Sequence, residues 1–111
     1  MPGVFEIFKD KTQEYRFRLK AGNGETILAS EGYKAKQGCQ NGIESVRENA
    51  PTDDRYERKI SSNSKYMFNL KASNHEVIGT SQMYSSVHAR DTGIESVKKN
   101  APRAEVEDLT I

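Results

Sequence analysis

The sequence holds one cysteine, Cys39, no tryptophan, two histidines and three prolines in 111 residues. A lone cysteine excludes an internal disulfide framework, and without a Cys-x-x-Cys pair no thiolate zinc site can be built, so a reducing compartment is expected. No stretch approaches eighteen consecutive apolar residues, which excludes an ordinary membrane-spanning helix. Met1-Pro-Gly-Val-Phe-Glu-Ile7 lacks a basic start followed by an apolar run, so a cytoplasmic location is expected. Nor is there an excess of one charge. Seventeen Lys and Arg against sixteen Asp and Glu leave a net charge of +1, too little to attract polyanions or anionic membranes as a dedicated binder does. Aliphatic bulk is also scarce: the apolar fraction is 34%, so the five Tyr and four Phe must supply much of any core.

What the chain does have is a second copy of itself. Tyr15-Arg-Phe-Arg-Leu-Lys-Ala21 returns as Tyr66-Met-Phe-Asn-Leu-Lys-Ala72, and Gly42-Ile-Glu-Ser-Val46 as Gly93-Ile-Glu-Ser-Val97. Asn49-Ala50-Pro51 returns as Asn100-Ala101-Pro102, always at an offset of 51 residues. A register kept without insertion means duplication of one structural unit. A copy of about 50 residues is too small to bury a self-sufficient core, so residues 1–111 read as a single pseudo-symmetric domain. Repeat 1 covers about 3–54 and repeat 2 about 55–111, over one shared core.

Within each copy the periods are plain. Tyr15, Phe17, Leu19 and Ala21 alternate with Arg16, Arg18 and Lys20, as in a strand with one buried face, and Tyr66, Phe68, Leu70 and Ala72 repeat the buried set. Gly22-Asn23-Gly24 predicts a tight hairpin, because Asn and Gly both tolerate positive φ. Ser73-Asn74-His75 replaces it in the second copy, where His accepts that conformation at some steric cost. Cys39, Ile43, Val46 and Ala50 predict a helix from about 34 to 49, and Val87, Ile94, Val97 and Ala101 one from about 86 to 100. Ser85 or Ser86 suits the cap of the second helix. Asn49 and Asn100 suit the left-handed residue after the last turn, and Pro51 and Pro102 forbid continuation. Gly42 and Gly93 sit mid-helix at a cost of about 1 kcal/mol each, explained if the helix approaches the sheet there.

Residues 52–60 align both forward with 103–111 and backward with Val4-Phe-Glu-Ile-Phe8. One stretch therefore serves as the end of copy one and the opening strand of copy two, and the last strand is left needing an edge to pair with. The element order gives an α+β fold, with an antiparallel sheet and both helices on its apolar face.

The Leu-Lys-Ala-x-Asn-x-Glu-x-Ile hairpin, Tyr33 and Tyr84 before the helices, and the paired Gly-Ile-Glu-Ser-Val helices together resemble the tandem-repeat YegP-like family of small bacterial proteins. The resemblance covers essentially the whole chain. It implies two tandem β-β-β-α-β repeats joined in one sheet with their closing strands exchanged, a bacterial cytosolic setting, and no assigned activity. It carries over no catalytic residue.

A site built into the repeated unit should appear twice, and little does. Glu44 and Glu95 have no acid or imidazole at a fixed spacing and read as solvated helix residues. Ser45 and Ser96 lack a Gly-x-Ser-x-Gly elbow and read as space-filling. His75 and His88 have no counterparts, since Gly24 and Gln37 stand there, and no cysteine lies near them in sequence, so no metal site is expected. Cys39 has Arg90 as its counterpart in the other copy, so it has no thiol partner, and it reads as a small core residue. Gly22-Asn-Gly24 lacks the Gly-Lys-Ser/Thr of a phosphate loop. No catalytic, cofactor or metal residue is assigned.

The best candidate surface is the outward set Arg16, Arg18, Lys20, Asn69 and Lys71, a basic stripe on the sheet face away from the helices. Glu6 and Glu57 are placed to neutralise it by cross-strand pairing, and no aromatic is expected on that face of the central strands. The expectation is a non-enzymatic interaction or accessory module whose partner is another protein. It would be a monomer with internal pseudo-dimer symmetry, independent of cofactors and membranes. The alternative is a weak RNA or single-stranded DNA binder using that open basic face.

Overall fold

Phe17 and Leu19, and their counterparts Phe68 and Leu70, are completely buried, each contributing about 1.5–3 kcal/mol to the folded state. The computed structural model describes residues 3–111. In chain order the strands of the first copy are β1 (Val4–Lys9), β2 (Tyr15–Lys20) and β3 (Thr26–Ala29), followed by helix α1 (Lys36–Asn49). The second copy has β4 (Tyr56–Ile60), β5 (Tyr66–Lys71), β6 (Val77–Thr80), helix α2 (Val87–Asn100) and β7 (Glu105–Asp108). A short 3-10 turn follows each helix, at Asp53–Arg55 and Ala101–Arg103.

The described residues form one sheet in the order β4-β5-β6-β3-β2-β1-β7. The two copies meet between β3 and β6, where Ala29 pairs with Thr80, its own counterpart in the other copy. The pseudo-twofold axis passes through that pair. Helix α1 leaves the first copy, packs over β2, crosses to β6 and β5, and delivers β4 to the outside of β5. Helix α2 packs over β5 and β3, and β7 then lies outside β1. The closing strands are thus exchanged between repeats over one buried cluster from both copies. Equivalent edge-to-face aromatic pairs anchor the halves, Phe5–Phe17 at 5.9 Å between centroids and Tyr56–Phe68 at 5.7 Å.

One pairing departs from the expected antiparallel sheet: β7 runs parallel to β1, with Val4 opposite Glu105 and Ile7 opposite Asp108. The hairpins fix the direction of the other strands. β7 arrives from β6 through α2 with no hairpin joining it to β1, so nothing local forces that pair to be antiparallel.

The helices begin slightly later than the spacing predicts, at Lys36 and Val87. Tyr33 and Tyr84 hold the preceding backbone extended in bridges to Tyr15 and Tyr66. Ser86 is the cap, accepting from Ala89 N at 3.0 Å, whereas Ala35 in the first copy offers none. Asn49 and Asn100 are not left-handed residues. Both lie in the last helical turn, and their side-chain amides donate to Ser45 O and Ser96 O at 2.8 Å. The chain stays helical through Ala50 and Ala101, and Pro51 and Pro102 then end the ladder.

The mid-helix glycines make room for aromatic rings rather than for the sheet backbone. A methyl group at Gly42 would stand 2.6 Å from the Tyr33 hydroxyl and 3.0 Å from the Phe17 ring, and one at Gly93 would meet the Tyr84 hydroxyl. In the β2–β3 and β5–β6 turns only the third residue takes positive φ, Gly24 at 86° and His75 at 72°. Asn23 and Asn74 instead accept from the amides of Glu25 and Glu76 at 3.0 Å.

Candidate interaction surface

Because side chains alternate along a strand, burying Phe17 and Leu19 turns Arg16, Arg18 and Lys20 to the side without helices. The pairing register adds Glu6 and Phe8 from β1, Asn69 and Lys71 from β5, and Glu57 from β4. The five residues singled out in the sequence do share this open face. They are not free cations.

Glu6 Oε1 accepts from Arg18 Nε at 2.7 Å and lies 3.3 Å from Lys20 Nζ. At the equivalent place Glu57 accepts from Asn69 Nδ2 at 3.1 Å and from Lys71 Nζ at 3.0 Å, and Thr80 Oγ1 donates to Asn69 Oδ1 at 2.9 Å. Each copy therefore holds one carboxylate between two donors from the next strand. The Arg18 hydrogen bond, more than Lys20, holds the Glu6 carboxyl below its ordinary range, against a partial opposition from burial. Asn69 and then Lys71 do the same for Glu57.

Two participants escape a sequence reading. Asp10 organises the β1–β2 turn by accepting from Thr12 and Glu14 amides, and also accepts from Arg16 Nε at 2.6 Å. These bonds, that of Arg16 foremost, hold its carboxyl well below the usual carboxylate range. Phe8 is the other: the Arg18 guanidinium lies over its ring at 4.4 Å, so an aromatic does stand on the open face. Its signal is the alternation of Val4, Glu6 and Phe8 in β1, masked because Phe5 and Ile7 make the opposite face apolar too.

The remaining candidates do not converge. Glu44 pairs with Arg47 and Glu95 with Lys98 on exposed helix turns. Ser45 and Ser96 accept from Asn49 and Asn100 as described. His75 sits at a turn and His88 is exposed in the first turn of α2. Among the described residues no three His, Cys, Asp or Glu side chains are grouped to hold a metal ion. Cys39 is fully buried, and burial, with a smaller effect from Asp108, pushes its thiol up to about 11. A shallow polar groove of about 440 Å³ lies beside the end of α1 and the β5–β6 turn, lined by Ser45, Asn49, Thr52, Arg55 and Asn74. Arg55 Nε donates there to Asn49 Oδ1 at 2.9 Å. Neither imidazole nor thiol lines it.

A family model described as a domain of unknown function, DUF1508, matches residues 10–57 and again 61–108. The chain belongs to the DUF1508 family. Both DUF1508 units end in a closing strand, the second at the last residue of β7 and the first inside β4. A UPF0339 protein of Stutzerimonas stutzeri is 64% identical, with 98% of each chain covered. The UPF0339 protein YegP of Escherichia coli is 54% identical over 99% of this chain and 100% of its own. The solution NMR structure of Escherichia coli YegP superposes with a TM-score of 0.93 at 53% identity, covering 98% of this chain and 94% of that one. The structure of the Shewanella oneidensis UPF0339 protein gives 0.92 at 52% identity, covering 98% and 92%. The tandem-repeat fold implied by the resemblance is therefore the fold of these bacterial relatives, whose names state no activity. Among the described residues no helix is long and apolar enough to cross a membrane.

Proposed function

We propose that the protein is a non-enzymatic interaction module of the bacterial cytoplasm that meets a protein partner through the open side and edges of its sheet. The observation that carries this reading is the placing of both helices on one face. The other face is left uncovered, its polar side chains already fixed by Glu6–Arg18, Glu57–Lys71 and Asn69–Thr80 contacts. Groups held in place before binding lose little conformational freedom on association. Because Arg16, Arg18, Lys20 and Lys71 each lie beside an acid, long-range attraction of a polyanion is weakened.

Site-specific photo-crosslinking in bacterial cells tests it, with the crosslinker at Arg18 or Lys71 on the open face and at Glu44 or Glu95 on the helix side. Adducts with a discrete protein at the first pair and not at the second are expected. Equal labelling at all four positions refutes the reading.

The stacked Phe8–Arg18 pair favours one second reading, a weak single-stranded nucleic-acid binder, since a guanidinium and an aromatic ring together suit base stacking. Salt-dependent retention of an oligonucleotide, lost on changing Arg16, Arg18, Lys20 and Lys71 to Gln, would establish it in place of the first.

A further inference from the structure

Among the described residues the outer edge of β4 is unpaired, whereas the equivalent edge of β1 carries β7 in parallel. The asymmetry has a cause in the register. Residues 54–57 correspond to β7, yet residues 55–60 correspond to β1, and one stretch cannot pair beside itself. The strand position outside β4 therefore has no occupant from the chain's own repeat. Carrying the β1–β7 register forward by 51 residues places the four positions of such a strand opposite Arg55, the last residue of the 3-10 turn, and Tyr56, Glu57 and Arg58 of β4, where β7 meets Val4, Phe5, Glu6 and Ile7. The two outer positions have changed from apolar to cationic. Arg55 is engaged by Asn49 through Nε. Arg58 donates from Nη2 to Asp53 at 3.1 Å and lies 3.6 Å from Asp91 through Nε.

We propose that this edge accepts, in parallel, an extended segment of a partner protein with the pattern acid, apolar, basic or polar, acid. The first acid faces Arg55, the apolar residue lies by Tyr56 as Val106 lies by Phe5, the third position faces Glu57, and the last acid faces Arg58. Main-chain hydrogen bonds supply the affinity and the two arginines set the register. Asp53 and Asp91 compete with the last acid, so binding is selective rather than tight. Neutral strands meet an edge guarded by charge. A second copy pairing antiparallel through its own β4, centred on the strand, would set Arg58 against Arg58. The proposal rests on the interaction-module reading and names one place where a partner attaches.

The probe is a capped peptide of residues 104–111 carrying Glu107→Lys, titrated into the isotope-labelled full chain and followed through backbone amide shifts. Saturable shifts confined to residues 55–60 and their neighbours are expected. Arg58→Glu should weaken binding about tenfold or more, and a peptide that also carries Asp108→Lys should recover most of the loss, as opposed charges across an interface do. If Arg58→Glu does not fold, Arg55→Glu with a peptide carrying Glu105→Lys supplies the same exchange. No saturable shift at β4 near millimolar peptide overturns the proposal. So does displacement of β7 from β1, or a dependence of the β4 shifts on protein concentration without peptide, which would assign the edge to a second copy. Failure here with crosslinks retained at Arg18 or Lys71 would leave the module reading standing.

Discussion

Leu28 and Gly79 are the same position in the two copies, and the leucine lies across the axis against the glycine. A methyl group at Gly79 would sit 2.6 Å from Leu28 Cγ and Cδ2. Leucine in both copies would collide, and glycine in both would leave a void, so the duplication had to become asymmetric where its halves touch. Gly79→Leu should destabilise the chain by about 1–3 kcal/mol through overpacking, and Leu28→Ala by about 2–5 kcal/mol through the cavity left. The double variant should be less destabilised than the sum of the two, by more than about 0.5 kcal/mol. Urea denaturation of the four proteins checks this, and strict additivity would contradict it.

The third residue of the second turn offers a cleaner backbone experiment. His75 holds φ at 72°, whereas Gly24 holds 86° at the equivalent place with nothing within 4 Å of where a Cβ would stand. His75→Gly should therefore stabilise by about 1 kcal/mol, because the left-handed conformation costs a side chain that glycine lacks. Gly24→His should lose a similar amount. A downward shift of the denaturation midpoint for His75→Gly would refute the assignment of strain.

Acid should loosen β7. Asp108 accepts from Lys36 Nζ at 2.7 Å, and this bond, followed by those from Thr110, brings its carboxyl down from 3.8 to about 2. A carboxylate whose folded value is depressed stabilises above its unfolded value and loses that contribution as pH falls through the folded one. The loss should thus fall between about pH 4 and pH 2. Amide exchange of Val106 across that range should accelerate in the native chain. In Lys36→Met the acceleration should be largely absent, because exchange is already fast at neutral pH.

Cys39 should be silent in the folded state. With its thiol raised to about 11 and no exposed surface, almost no thiolate is present at pH 8. A chromogenic disulfide reagent should label nothing until denaturant is added, and then one thiol per chain. Rapid labelling of the native protein would show that the α1 face opens.

Much of this architecture is written in short-range pattern. The alternation in Tyr15–Ala21, the Asn-Gly turn and the four-three-four spacing from Cys39 to Ala50 each report a local geometry, and each stands in the structure. Direction is not local: nothing in Glu105-Val-Glu-Asp108 states that it runs parallel to β1. Asn49 shows a second limit, because an asparagine that satisfies a backbone carbonyl four residues back looks the same in sequence as one that ends a helix. The open-face stripe was legible from alternation, and its neutralisation from the placing of Glu6 and Glu57. The Phe8–Arg18 stack and the Asp10 turn were not, since the first lies on a strand apolar on both sides and the second depends on a fold-back of six residues.

The parallel pairing of Val4 with Glu105 spans almost the whole described chain. Contacts so distant in sequence form late, after hairpins and helices have paid their smaller closure entropies. During synthesis the first strand must wait, its backbone unsatisfied on one side, until the far end of the second repeat leaves the ribosome. A nascent chain paused before that moment carries a naked β edge above Phe5 and Ile7, and this is the interval in which a holdase has most to protect.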